Sequence, residues 1–273
     1  MRSNTINELS LFSGYGGFSL GLRLAGLEVQ TVGYIEIEPY CQEIIKARIK
    51  DGLLDDGPVY PDIRAFDGTQ CRGVVDIITA SFPCQPHSLA GQRRGKADER
   101  NLWPDTLRVI REVAPRYVLL ENVRGLADGD NPYAAEIVGQ LSEAGYDARW
   151  GLLSAAEVGA PHKRERWWCL ANTVDDPQRR RRGGTATVAD SDGDILWHWQ
   201  QLQSQRGPAR NAPALAPDYG ETGWWNPERE MDRVAPRGAD WVDQLRALGN
   251  GVVPKVGAEF LRAVTGLRRE SNV

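Results

Sequence analysis

A chain of 273 residues with 41% hydrophobic and 26% charged residues can bury one sizeable core and has the composition of an ordinary globular protein. No apolar run approaches the roughly 20 residues that span a bilayer, and the polar start MRSNTINELS is no secretory signal, so a cytoplasmic protein without a membrane partner is expected. The net charge of −4 excludes a uniformly basic coat, but not nucleic-acid binding, which depends on local clusters rather than on the sum.

In chain order, strands are predicted at 8–12, 29–35, 75–80, 117–121 and 167–170, with helices between them at 39–49, 102–113 and 133–144. This alternation, with gaps long enough for right-handed crossovers, predicts an α/β fold built on a doubly wound, mostly parallel sheet. After about residue 171 the hydrophobic periodicity fades and Gly, Pro, Arg and Trp accumulate, which marks a small irregular second lobe. From Trp241 the chain again reads as helical, punctuated by LGNGVVP. The division is therefore a first lobe at 1–171, a small lobe at 172–240, and a segment at 241–273 that returns to the first lobe.

The segment LFSGYGGFSLGL (11–22) follows a strand and opens a helix. Glycines there let backbone approach a ligand, and a helix N-terminus offers amides without partners. Glu36 stands roughly 20 residues on, at the end of the second strand, where a carboxylate can hold ribose hydroxyls. The glycine spacing is not G-x-G-x-x-G, which favours a nucleoside ligand other than NAD.

Cys84, in SFPCQPHSLAG (81–91), sits in a polar, proline-flanked loop at the carboxyl end of a strand, where α/β sheets place active sites. Cys41, Cys71 and Cys169 read instead as small buried apolar residues. The cysteines lack the close pairings of zinc sites, so free thiols and no metal site are expected. DSDGD (190–194) departs from a calcium loop at Ile195 and Gln201.

Glu121, in ENV (121–123), closes an apolar strand at the same sheet edge. Partial desolvation there would raise its pKa and suit it to donate a proton near neutrality; a capping or salt-bridged glutamate is the competing reading. In HKRERWW (162–168), Arg164 and Arg166 lie two apart just before or within a strand, hence on one face, unless the segment is a solvated charge run. Asn250, in LGNGVVP (248–254), could serve only as a left-handed turn residue.

Taken together and in this order, FSGYGG, FPCQP, ENV, RER and LGNGVVP resemble the motifs of the cytosine carbon-5 DNA methyltransferase family, over roughly residues 8–170 and 233–265. The resemblance implies a catalytic lobe that binds S-adenosylmethionine, a target-recognition lobe at 172–240, and a last helix returning to the catalytic lobe. It implies that Phe12, Ser13, Gly14, Gly16 and Gly17 form the cofactor loop, with Phe12 against adenine. Glu36 would hold the ribose and Ile37 would pack on the base. Asp62 and Ile63 would meet the adenine edge, Leu102 would line the pocket, and Asn250 and Val252 would close it. Cys84, Glu121, Asn122, Arg164 and Arg166 would surround the target cytosine. His87 and His162 depart from the family, which usually has Phe and Gln there.

The chemistry accounts for these residue types. Addition of a Cys84 thiolate to carbon 6 makes carbon 5 nucleophilic, while Glu121 on ring nitrogen 3 and Arg166 on the carbonyl oxygen stabilise the charge that develops. The target must be flipped out of the duplex, and the polar loop 88–100 is the expected cover. Double-stranded DNA is the implied partner, a cognate restriction enzyme is left open, and a monomer is expected. An RNA cytosine methyltransferase, a nucleotide-binding oxidoreductase and a catalytically inactive DNA-binding protein are the rival readings. The run Arg179–Arg182 is either a solvated face or a phosphate patch.

Overall fold

The computed structural model describes residues 5–83, 101–128, 133–174 and 250–266. Cys84, His87, the loop at 88–100, Arg179–Arg182 and almost all of the expected lobe at 172–240 lie outside the described residues. The described residues hold seven strands: β1 (Ile6–Leu11), β2 (Val29–Ile35), β3 (Val59–Tyr60), β4 (Ile77–Ala80), β5 (Tyr117–Val123), β6 (Tyr146–Ser154) and β7 (Glu165–Thr173). They form one sheet in the order β3-β2-β1-β4-β5-β7-β6. Neighbours from β3 to β5 pair in parallel, and β7 pairs antiparallel with both β5 and β6. The helices are α1 (Gly17–Leu24), α2 (Pro39–Lys50), α3 (Trp103–Val113), α4 (Tyr133–Glu143) and α5 (Pro254–Thr265).

The sheet is thus mostly parallel and α/β, with one departure from expectation. The β6–β7 hairpin was not anticipated, because β6 (YDARWGLLS) is an edge strand that stays half exposed along much of its length. It therefore lacks the continuous apolar run that marks a strand buried on both faces. β3 is only two residues long and carries no periodic signal. β7 runs to Thr173, two residues beyond the expected end of the first lobe at 171.

Strand alternation sorts the core into two layers. Leu9, Leu11, Ile78, Ala80, Val118, Leu120 and Trp167 join the layer that also contains Leu107 and Ile110 of α3 and Ile137 and Leu141 of α4. On the other face, Ile77, Leu119 and Trp168 meet Phe18 and Leu22 of α1 and Val256, Phe260 and Leu261 of α5. The adjacent Trp167 and Trp168 are both fully buried, one in each layer. Trp168 lies 5.9 Å from the stacked Phe260 ring and 6.0 Å from Phe18, edge-on.

The return of the C-terminal segment depends on two glycines one turn apart on α1. A Cβ on Gly17 would stand 2.4 Å from the Val252 carbonyl oxygen, and one on Gly21 would stand 2.9 Å from that of Pro254. Their bare backbone lets the chain at 252–254 lie against the helix. Gly257 plays the same part against Trp168, whose ring comes within 3.2 Å of where its Cβ would be. Successive strands leave β1 in opposite directions, to β2 on one side and β4 on the other, so the carboxyl ends of β1 and β4 flank the switch point where such sheets bind ligands.

Candidate active site

The turn from β1 into α1 occupies five residues, and its tightness shows in the backbone. Phe12, Gly14 and Gly16 all have positive φ, at 54°, 55° and 85°. For glycine that region costs little, whereas Phe12 is held there by the pairing around it. The Ser13 amide donates to Ile35 O at 3.1 Å, its hydroxyl donates to Ser10 O at 2.9 Å, and the Gly16 amide returns to Ser13 O at 2.8 Å. A Cβ on Gly14 would meet nothing within 4 Å, so the loop is open on that side; one on Gly16 would strike Leu54 at 2.7 Å.

Glu36, just past β2, faces this loop. Its carboxylate accepts the Gly14 amide at 2.7 Å on one oxygen and the Glu38 amide at 2.8 Å on the other. Its backbone carbonyl accepts from the Gln42 side chain at 2.7 Å. Burial pushes this carboxyl up, opposed by the amides of Glu38 and Gly14. A carboxylate offers about four acceptor positions, so the amides leave capacity for a diol. Ile37 is 49% exposed beside it, an apolar surface at a sheet edge.

Asp62 caps the short turn Ile63–Ala65, accepting the Arg64 amide at 2.9 Å, and the Arg64 guanidinium grips its carboxylate at 2.8–3.0 Å. The Arg64 bonds hold the Asp62 carboxyl below its ordinary range. The Ile63 side chain is buried, so only its backbone is available to a ligand at this edge. Phe12 and Leu102 pack partly buried against the larger core layer, Leu102 at the start of α3. These residues can hold a nucleoside: an exposed apolar side chain, a buried carboxylate with spare acceptors, and an open glycine turn.

The second half of the site lies at the ends of β4, β5 and β7. Glu121 is 4% exposed. One oxygen accepts the Ser81 hydroxyl at 2.6 Å, and the other forms an ion pair with Arg166 Nε at 3.2 Å. Burial raises the carboxyl, opposed by the Ser81 hydrogen bond and by the charges of Arg166 and Arg164. Asn122 donates its amide to Phe82 O at 2.9 Å, which fixes the chain two residues before Cys84. Arg164 comes just before β7, with a φ of 32°, and its guanidinium donates to Gly251 O at 2.6 Å. Of the two arginines, then, only Arg166 lies within the strand.

Val252 is buried, and its carbonyl accepts the Tyr15 hydroxyl, whereas Asn250 is exposed. Tyr15 was not picked out in the sequence, nor was Ser81. Each is a common residue inside a motif, and nothing but its tertiary partner sets it apart. Arg124 escaped notice too: it bridges Asp128 and Glu165, tying the segment after β5 to the start of β7. His162 is exposed.

A model of the C-5 cytosine-specific DNA methylase family matches residues 6–205. The chain belongs to that family. It is 38% identical over 160 residues to the type II methyltransferase M.NgoMIV of Neisseria gonorrhoeae, covering 58% of this chain and 49% of the relative. It is 35% identical over 172 residues to M.CviJI of Paramecium bursaria Chlorella virus IL3A, covering 63% and 44%. The chain thus matches about half the length of these relatives. Among solved structures, the Dnmt2 methyltransferase of S. pombe matches with a TM-score of 0.50 and 27% identity, over 71% of this chain and 60% of that one. A Spodoptera frugiperda DNMT2 mutant matches with a TM-score of 0.52 and 23% identity, over 63% and 51%, which speaks for the fold alone.

Proposed function

We propose that this family member transfers a methyl group from S-adenosylmethionine to carbon 5 of a cytosine flipped out of double-stranded DNA, through a covalent bond to Cys84. The observation that carries the reading is the Glu121–Arg166 pair at the ends of β5 and β7, beside the end of β4 from which the chain runs on to Cys84. The other cysteines support it by their placement. Cys41 and Cys169 are buried and Cys71 is half buried, and burial raises the thiols of Cys71 and Cys169, away from the reactive thiolate.

The residues around the glycine turn fit the cofactor. Glu36 would bind its ribose, Ile37 and Phe12 would flank the adenine, and Asp62 with the Ile63 backbone would meet the adenine edge. Ser13, Gly14, Gly16 and Gly17 form the turn, with Leu102 lining the pocket and Asn250 and Val252 on its C-terminal side. When bound, S-adenosylmethionine supplies an electrophilic methyl group.

The protein's own side chains prepare the cytosine. The Cys84 sulfur bonds to carbon 6, the carbon 5–carbon 6 π pair moves toward carbon 5, and Glu121 places a proton on nitrogen 3. Arg166 would hold the carbonyl oxygen, with Arg164 fixing the neighbouring turn and Asn122 the approach to Cys84. After methyl transfer a base removes the carbon 5 proton, and that electron pair re-forms the carbon 5–carbon 6 double bond as the carbon 6–sulfur pair leaves on the sulfur. The thiolate is thereby regenerated, and nitrogen 3 returns its proton to Glu121. We assign residues 1–171 to the catalytic lobe, 172–240 to target recognition, and 241–273 to the returning segment. The enzyme would work as a monomer in the cytoplasm, alone or beside a restriction enzyme of the same specificity.

Bisulfite sequencing of DNA from cells expressing the protein should reveal methylation at one sequence. A duplex carrying 5-fluorocytosine at that site should then form a denaturation-resistant adduct with the wild type and none with Cys84→Ser. Modification of transfer RNA with none of DNA, or an adduct formed by Cys84→Ser, would overturn the reading.

A further inference from the structure

Glu121 is asked to do two things that conflict. Its burial favours the protonated form, yet an acid that never releases its proton to a ring nitrogen catalyses nothing. Among the described residues, three charged or titratable groups face it: Arg166 from β7, Arg164 from the turn before β7, and Tyr15 from the β1–α1 loop. Burial lowers Arg166 from an ordinary value far above neutrality, opposed by the Glu121 charge. Burial raises the Tyr15 phenol further above its ordinary value, away from the neutral range.

We propose that Ser81 is a positioning residue for Glu121, with its hydroxyl fixing which carboxyl oxygen accepts and which carries the proton handed to the substrate ring. This rests on the reading of Glu121 as the acid. Ser81 follows β4 directly, where Ala80 pairs with Leu120, and the next residue, Phe82, is held by Asn122 at 2.9 Å. The chain is pinned on both sides, so the hydroxyl has little choice of position. It lies 2.6 Å from Glu121 Oε2, in the range of a charge-assisted hydrogen bond. Arg166 Nε approaches the other oxygen, Oε1, at 3.2 Å. With Oε2 accepting from Ser81, the transferable proton is assigned to Oε1, the oxygen that faces Arg166. The hydroxyl also favours the ionised form, so it offsets part of the effect of burial.

The test is a set of single-turnover methylation rates against pH for wild type, Ser81→Ala, Ser81→Thr and Glu121→Gln. The wild-type rate should fall on the alkaline side as Glu121 loses its proton. Loss of the donor should move that limb to higher pH in Ser81→Ala and cut the rate at neutral pH about tenfold, the value of one such hydrogen bond. Ser81→Thr keeps a hydroxyl and should restore the wild-type limb. A limb that stays put in Ser81→Ala, or shifts equally in a folded Ser81→Thr, overturns the proposal whatever the absolute rates. If Ser81→Ala does not fold, Ser81→Cys takes its place, since a thiol is a similar shape but a weak donor. A Glu121→Gln enzyme with the wild-type rate and limb would remove the acid itself, and is told apart from a failure of Ser81 alone.

Discussion

Glu8, Glu36 and Glu121 are all buried among the described residues, and each is held differently. Glu36 receives backbone amides from two loops. Glu36→Ala should weaken S-adenosylmethionine binding by about 1–3 kcal/mol, the scale of hydrogen bonds to a charged group. Calorimetry that finds unchanged affinity would remove Glu36 from the site. Glu8 is fully buried on β1, where the hydroxyls of Thr31 and Thr79 donate to its two oxygens, both at 2.7 Å. Desolvation raises its carboxyl, opposed by the neighbouring hydroxyls. With the folded value above the unfolded one, its contribution to stability is intact below the unfolded pKa of about 4.3 and is lost as pH rises through the folded value. Glu8→Gln should therefore melt higher than wild type at pH 8, by roughly 2–4 °C for each kcal/mol gained, and the two should converge below about pH 4. Thermal melts across that range decide it. A lower melting temperature for Glu8→Gln at pH 8 would mean that the ionised carboxylate is what the hydroxyls require.

Among the elements, α1 does two jobs with one set of glycines. Its N-terminal turn opens toward the proposed cofactor, while Gly17 and Gly21 admit the chain at 252–254 on the flank. Gly17→Ala would drive a methyl group to 2.4 Å from a backbone oxygen, where no side chain can yield. The expected cost is about 1–3 kcal/mol or more, because overpacking against backbone forces the segment to shift. Gly14→Ala would enter open space and bear only the strain of a φ of 55°, about 1–2 kcal/mol. Chemical denaturation of the two variants should therefore show Gly17→Ala the less stable. Equal losses would mean that the returning segment gives way easily. α5 completes this layer by covering Trp168 with Phe260, so a site residue such as Val252 cannot be separated from folding.

At the scale of the molecule, the proposed reader of DNA sequence lies outside the described lobe. Base edges are read by planar donors and acceptors, whereas phosphate contacts only set register. The segment 172–240 is rich in Arg, Gln and Trp and interrupts the family's motifs, so we propose that specificity lies there. Exchanging it for that of a relative with another target should transfer specificity while the Cys84 adduct persists. An active chimera that methylates only the original site would place recognition elsewhere. Neutralising Arg179–Arg182 should weaken DNA binding uniformly and flatten its salt dependence, as phosphate contacts predict; an altered target preference would instead mean that this run reads bases.

What the chain alone determined is whatever local chemistry and period can write. β2 was legible from end to end because its β-branched and aromatic residues favour a strand, and Glu36 was a candidate because it closes that strand roughly 20 residues after the glycine turn. Cys84 and Glu121 stood out because each breaks the expected pattern, a thiol among prolines and an acid at the end of an apolar strand. Contacts between distant segments decided the rest. The β6–β7 hairpin needed a neighbour to show that β6 is an edge. The role of Gly17 toward Val252 spans 235 residues of chain, and that of Ser81 toward Glu121 spans 40. No periodicity records such pairs, because a hydroxyl or a missing side chain has meaning only through the atom that folding brings against it.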